Sequence, residues 1–511
     1  MNIAQAKEQI KDTVEAYLAK DDDGFFFIPP VQQRPIFLLG APGIGKTAIM
    51  EQIADELDIG LVSYSMTHHT RQSALGLPLI THHEYKGFEY EASEYTMSEI
   101  IAAIYDCMTD TGVERGILFL DEINCVSETL YPSMLQFLQM KTFGRHAVPE
   151  GWVVVCAGNP PEYNRSVHEF DIVTLDRLRK IEVEPDYEAW KAYVQDIGIH
   201  PAILTFLEID KSRFYVVESK PGEKTFVTAR GWNDLSRVMT LFERLGKTVD
   251  MSLISQFLQN DEIAEAFAQY YVLFSKYRSD YQIDQILAGQ AGADIVARAH
   301  DAQFDERLAL VGLLLDALSS TMDEVLTTGD VLTDVRDVLR AAKPQLLDGA
   351  TLDETLGEEL SARREHIAKM RKPEGQVSMR ARGAGKAIEC LQGLVEGACA
   401  QGLMAGEGAF GVVSQLFSQQ TQDFMAGVAQ AEENLSHAFD FLDAAFGADE
   451  REMLVFVAEL TARRATSQFI SRCGSESYYA HNEGLMVDRS KQDLIERIDG
   501  IGLEAIGSLT V

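Results

Sequence analysis

The chain has 511 residues and carries 45 Lys and Arg against 79 Asp and Glu, a formal net charge of −34. That length calls for several domains at roughly 100–200 residues each, and a composition that is 46% hydrophobic and 24% charged excludes a disordered chain. A surface this acidic repels phosphate backbones and anionic lipid, so nucleic acid and membrane are disfavoured as partners.

The six cysteines are scattered without a CxxC pair, which reads as reduced core thiols. The opening residues, MNIAQAKEQIKDTVEAYLAK, carry acids through an amphipathic helix pattern and lack the apolar core of a signal peptide. No apolar run is long enough to span a bilayer, and the expected location is cytoplasmic.

Pro35–Thr47 reads PIFLLGAPGIGKT. The apolar run Ile36–Leu39 predicts a buried strand, which leads into Gly40, Ala41, Pro42, Gly43, Ile44, Gly45, Lys46 and Thr47. Helical periodicity begins at Ala48 and runs to Leu57. This is G-x-x-x-x-G-K-[ST] between a strand and a helix, the context in which the motif cradles phosphates. The glycines let backbone N–H groups curl around an anion, and the helix N-terminus adds positive potential. Lys46 would reach the β- and γ-phosphates of ATP, and the Thr47 hydroxyl would ligate Mg²⁺.

Leu61–Ser65 supplies a second strand. A third apolar strand, Gly116–Leu120, ends in Asp121-Glu122. Beside a phosphate loop, Asp121 suits the magnesium shell and Glu122 the general base that polarises the attacking water. Trp152–Ala157 is the next strand, followed by Gly158-Asn159-Pro160. The Asn159 amide would orient that water, with an ordinary Asn-Pro turn as the alternative reading of the tripeptide alone. Lys180–Val183 adds a fifth strand. Five strands separated by helices predict a parallel, doubly wound α/β sheet whose ligands lie at the carboxyl ends of the strands.

GAPGIGKT, ILFLDEIN, CAGNPPEYN and TLDRLRKIEV, in this order, resemble an AAA+ ATPase, specifically the MoxR-like branch, over residues 30–245. The resemblance implies a P-loop ASCE core with strand order 5-1-4-3-2, a helical lid, ring assembly (usually hexameric) and ATP-driven remodelling of protein clients, often with a partner carrying a von Willebrand factor A domain. It places Asn159 at sensor 1 and Arg230, in Thr-Ala-Arg rather than the more frequent Ser-Pro-Arg, at sensor 2. For the arginine finger it offers Arg177, followed by Leu178 where the family more often has Phe, with Arg179 and Arg165 as alternatives. It also reads the Met66–Glu99 insertion as a pore-facing element, with a hairpin over Tyr85–Tyr90 and a helix opening at Tyr95–Glu99. Lys141–Gly151 falls at the hairpin before sensor 1. Tyr85, Lys86 and Phe88 become candidate client contacts, with plain surface hairpins as the alternative.

His68-His69 and His82-His83 lack acidic or cysteine companions at ligand spacing, and Arg382–Lys386 departs from a phosphate loop at both ends. Arg363–Lys386 is a basic island in an acidic chain, fit to dock an acidic face or to serve as a solvated linker. From about residue 250 onward the pattern is helical: Leu310, Leu313, Leu314 and Leu318 mark one face, Leu435, Ala438, Phe439, Leu442 and Phe446 another, Met453, Phe456, Val457 and Leu460 a third.

The expected organisation is a lead-in over 1–30, an α/β nucleotide-binding core over 31–185, a helical lid over 186–250 and an all-α region over 251–511 that recruits partner or client. The expected activity is ATP hydrolysis driving client remodelling. The competing readings are an AAA+ motor or loader on nucleic acid and an ATP-binding scaffold with little turnover.

Overall fold

The computed structural model describes residues 1–68, 72, 74, 76–143, 146–163, 167–220, 223–370, 379–447 and 451–485. The chain divides into two compact units, Met1–Tyr193 with Lys211–Ala264, and Val194–Asp210 with Glu265–Val511.

The strands of the first unit are, in chain order, β1 (Ile36–Gly40), β2 (Gly60–Ser65), β3 (Pro78–Tyr85), β4 (Phe88–Tyr95), β5 (Gly116–Asp121), β6 (Thr142–Phe143), β7 (His146–Ala147), β8 (Trp152–Gly158), β9 (Arg179–Val183), β10 (Val216–Lys220) and β11 (Glu223–Val227). Five of them form one sheet in the order β2-β5-β8-β1-β9, and every neighbouring pair is parallel. Counted along the five core strands alone, this is the order 5-1-4-3-2.

Side chains alternate across a strand, and the three central strands β5, β8 and β1 are covered on both faces and apolar almost throughout, while the edge strand β9 exposes Arg179, Lys180 and Glu182. Phe37, Leu118, Leu120, Val154 and Cys156 point to one core, with Ile100, Ile101 and Ile104 of the helix Glu99–Thr111 and Met134 and Phe137 of the helix Tyr131–Met140. Ile36, Leu38, Ile117, Phe119, Val153 and Val155 point to the other, against Ala6, Ile10 and Val14 of the helix Ile3–Leu18 and Ile49, Met50 and Ile53 of the helix Lys46–Leu57. The chemistry-bearing residues fall where these strands run out of partners.

The insertion differs from its expected extent. β3 and β4 pair antiparallel from Pro78↔Tyr95 to Tyr85↔Phe88, and beyond them the Thr96 amide donates to Leu77 O while the Leu77 amide donates to the Thr96 hydroxyl. The hairpin is therefore longer than Tyr85–Tyr90, and Tyr95 ends a strand; the helix begins only at Glu99. Lys86 and Gly87 both have positive φ, the two-residue turn whose twist suits paired strands.

The segment after β9 contains the helix Tyr187–Ile197, the antiparallel pair β10–β11 and the helices Ala229–Arg244 and Met251–Phe257. A two-stranded sheet thus stands in a stretch that reads as purely helical in sequence.

The second unit is built on long helices, chiefly Phe304–Leu347, Met379–Ala400 and Gly406–Phe446. The three periodic faces are inside, Leu310, Leu314, Leu435, Phe439, Met453 and Phe456 among them, while Phe446 is half-buried. The region is helical as its periodicity requires. Arg382–Lys386 lies within the helix Met379–Ala400 and forms no loop. In the basic island, Arg363 pairs with Asp334 at 2.5 Å and Glu359 at 2.7 Å, and Arg364 donates to Gln392 at 2.6 Å. Its leading arginines therefore serve internal contacts, and residues 371–378 lie outside the described residues. Among the described residues no helix is long and apolar enough to cross a membrane.

Candidate nucleotide site

The loop Gly40–Gly45 joins the end of β1 to the helix Lys46–Leu57. Gly45 is the N-cap residue, at φ 97° and ψ 17°, and offers no side chain to cap the helix. The first-turn N–H groups are thereby left for an external acceptor, which is how a helix N-terminus receives an anion. Gly43 has φ 74°, and a Cβ there would stand 3.1 Å from the Thr228 side chain, so both backbone conformation and space favour glycine.

Lys46 is buried, and its Nζ donates to Gly40 O at 2.7 Å, Ala41 O at 2.9 Å and Asn159 Oδ1 at 2.9 Å. Burial lowers its pKa to about 8, opposed by the nearby Asp121 carboxylate and assisted by the positive charge of Arg230. Its hydrogen-bond acceptors are all neutral, and the Asp121 carboxylate offsets only part of the cost of burying an ammonium. A phosphate supplies a counter-charge.

At the tip of β5, Asp121 Oδ2 accepts from Thr47 Oγ1 at 3.0 Å. A hydroxyl and a carboxylate held together are hard oxygen donors of the kind magnesium takes, directly or through water. The residues present therefore fit Mg²⁺-nucleotide: the loop amides and Lys46 for phosphates, Thr47 and Asp121 for the metal.

Glu122 stands in the left-handed region at φ 54° and ψ 36°, uncommon for a residue that is not Gly, Asn or Asp. Its amide donates to Asp121 Oδ1 at 2.9 Å, and its Oε2 accepts from Ser65 Oγ at 3.2 Å and Thr67 Oγ1 at 3.0 Å. The sharp turn aims two successive carboxylates in different directions, Asp121 at Thr47 and Glu122 at the end of β2. Ser65 and Thr67 are not legible as site residues in the sequence. The available signal is a polar residue at the carboxyl end of a core strand next to the Asp-Glu strand.

Asn124, in the short helical turn Ile123–Cys125 after β5, is a third residue of the site. It is buried, its Nδ2 donates to Asn159 O at 2.9 Å, and its Oδ1 accepts from Asn159 N at 3.3 Å. A Cβ on Gly158 would meet Asn124 Oδ1 at 2.5 Å, so the glycine before Asn159 makes room for this clamp. The Asn159 side chain is thereby free to face Lys46, which an isolated Asn-Pro turn does not explain.

Arg230 opens the helix Ala229–Arg244. Thr228 caps that helix by accepting from Gly231 N at 3.2 Å, and the Arg230 amide donates to Gly43 O at 3.2 Å. The Arg230 side chain is exposed and near enough to bias Lys46. Tyr215, just ahead of β10, reaches the same loop: its hydroxyl donates to Pro42 O at 3.0 Å.

The finger candidates separate. Arg179 Nη1 donates to Thr13 Oγ1 at 2.5 Å and Nη2 to Gln9 Oε1 at 3.1 Å, so its guanidinium binds the first helix of its own chain. Arg177 is exposed. Its charge adds to the hydrogen bonds from Thr174 that hold the Asp171 carboxyl below its ordinary range. Arg165 lies outside the described residues, as does His69. His82 and His83 face carboxylates across the hairpin, Glu91 at 3.5 Å and Glu94 at 3.1 Å. Among the described residues no group of three or more His, Cys, Asp or Glu side chains gathers to hold a metal.

Residues 35–178 match the AAA domain of the dynein-related subfamily. The matched stretch carries the phosphate loop, the Asp-Glu strand and Asn159, and the match supports an AAA+ domain. No curated protein matches the chain.

Proposed function

We propose that the chain hydrolyses ATP with Mg²⁺ and uses the cycle to remodel protein clients as a ring, in the manner of MoxR-like proteins. The observation that supports this most is the convergence of Lys46, Thr47, Asp121, Glu122 and Asn159 at the carboxyl ends of adjacent strands, each with a polar partner suited to a separate task. Bound Mg²⁺ would draw charge from the β- and γ-phosphates. The loop amides and Lys46 hold those phosphates, Glu122 accepts the proton of the attacking water, and Asn159 orients that water.

Arg177 is the finger we favour for a neighbouring copy's γ-phosphate, because Arg179 is engaged within its own chain. Arg230 reports nucleotide state at the start of its helix. The hairpin β3–β4, with Phe88 and Tyr90 exposed on it, is the surface offered to a client. A hexameric ring, a von Willebrand A-domain partner and a cytoplasmic setting belong to the same reading. Glu84 and Glu89 face each other across the hairpin beside Lys86, which counts against a strand of nucleic acid as the client.

The test is Glu122→Gln. Loss of a general base lowers turnover by ~10²–10⁴, and binding of a fluorescent ATP analogue should persist. Turnover equal to the parent chain would remove Glu122 from the chemistry. A parent chain that binds ATP without turning it over would favour the scaffold reading.

A further inference from the structure

The third residue of the phosphate loop is proline, which brings a carbonyl acceptor but no N–H donor. In a loop that has to present donors to an anion, that carbonyl is a hazard: turned inward, it would face phosphate oxygens with a dipole of the wrong sign. In this chain the Pro42 carbonyl is taken up elsewhere, by the Tyr215 hydroxyl at 3.0 Å. The neighbouring Gly43 carbonyl is taken up too, by the Arg230 amide at 3.2 Å. Two consecutive carbonyls of the loop are thus committed to donors from residues 215–230.

Tyr215 is itself held firmly. Phe214, the residue before it, is buried, with ring centroids 4.9 Å from Trp190 and 5.7 Å from Tyr187. The Phe214 carbonyl accepts from the indole Nε1 of Trp232 at 3.1 Å. The Tyr215 ring packs with Tyr163 on the cluster that contains Ala41 and Ile44 of the loop. Ring and backbone are therefore anchored on both sides, and the hydroxyl has one reach.

We infer that Tyr215 is a positioning residue for nucleotide binding: by holding the Pro42 carbonyl outward, it keeps the loop in its anion-receiving form before nucleotide arrives. This rests on the ATP-binding reading above and adds a determinant that no motif contains. Preorganisation of this kind is felt in affinity, because the ligand no longer has to turn the loop. It should leave the chemical step, served by Glu122 and Asn159, nearly untouched.

The experiment is Tyr215→Phe in the full chain, which keeps the ring and removes one oxygen. Binding of a fluorescent ADP analogue with Mg²⁺, ATPase kinetics and thermal unfolding without nucleotide are measured on the same preparations. We expect Kd for the ADP analogue and KM for ATP to rise ~3–10-fold, the worth of one hydrogen bond. The kcat should stay within about twofold and the nucleotide-free unfolding temperature should not move. Phe214→Leu is the contrasting variant, expected to lower the unfolding temperature. An unchanged Kd in Tyr215→Phe, or a loss confined to kcat, would overturn the inference. Because ADP binding requires no hydrolysis, an inactive parent chain would defeat the enzymatic reading and still leave Tyr215 tested.

Discussion

The strand-end region of the first unit and the long-helix core of the second use side chains for opposite purposes. Around Lys46, polar groups are buried or half-buried and linked by hydrogen bonds: Lys46 with Asn159, Thr47 with Asp121, Asn159 with Asn124. On the face that carries Phe439, Leu435, Ala438 and Leu442 are fully buried with it, and its ring packs edge-on against Phe456 at 5.2 Å and stacks on His481 at 4.2 Å. Small changes at the strand ends should therefore alter chemistry at little cost in stability. Equally small changes in the helical core should cost stability and leave nucleotide chemistry alone.

Replacing Arg177 with Ala would press that contrast hardest. The exposed guanidinium supports no core, so the unfolding midpoint should hold while turnover falls ~10³-fold or more, as for arginine fingers generally. Adding a Glu122→Gln chain, which keeps Arg177, should restore part of the activity in mixed assemblies. Full activity of Arg177→Ala alone would remove it as the finger. Phe439→Ala is the mirror image: removal of a fully buried ring should cost ~3–5 kcal/mol, read from denaturant unfolding by circular dichroism, with Kd for nucleotide unchanged. A shift in Kd would show that the two regions are energetically joined.

Asn124→Ala tests whether strand-end polar groups can be structural and chemical at once. It deprives the Asn159 backbone of two partners, at about 1–3 kcal/mol for unmet buried groups. With Asn159 less firmly placed, turnover should fall about tenfold, a loss of ~1.4 kcal/mol of transition-state stabilisation, more than for a core change of equal cost in stability.

The smallest effect expected is with pH. Burial lowers Lys46 to about 8, and a bound phosphate favours the charged form, raising that value. Nucleotide binding then takes up a proton above about pH 8, so affinity should weaken as pH rises from 8 towards 10. Without nucleotide the sign is opposite. The folded chain holds Lys46 less protonated than the unfolded chain does, so this group's contribution to stability improves between about pH 8 and the ordinary lysine value of 10.5. Titration of ADP affinity against pH reads the first sign and nucleotide-free unfolding against pH reads the second, each with Lys46→Met as reference.

Much of the nucleotide-binding end is legible in the chain itself. The residue types of a phosphate loop, and an Asp-Glu pair after an apolar strand, follow from local chemistry: phosphate needs amides and a cation, and magnesium needs oxygen. Helix against strand follows from periodicity, so the five core strands and the three helical faces at 310–318, 435–446 and 453–460 come out of spacing alone. The full length of the hairpin is not legible in the sequence, because strand pairing extends to Leu77 and Thr96 through contacts that single-strand patterns do not carry.

What only tertiary structure decided is which polar side chains meet. Ser65, Thr67 and Asn124 become partners of Glu122 and Asn159 because parallel strands end side by side, an adjacency set by strand order rather than by sequence distance. Arg179 meets the first helix because a strand's first residue can be reached by a helix 166 positions earlier. Residues 194–210 group with 265–511 although they lie between parts of the first unit. Composition, charge and motif fix the chemistry the chain can perform. The placement of each group within hydrogen-bond reach of the next depends on contacts between residues far apart in the chain, and those exist only once both cores have formed.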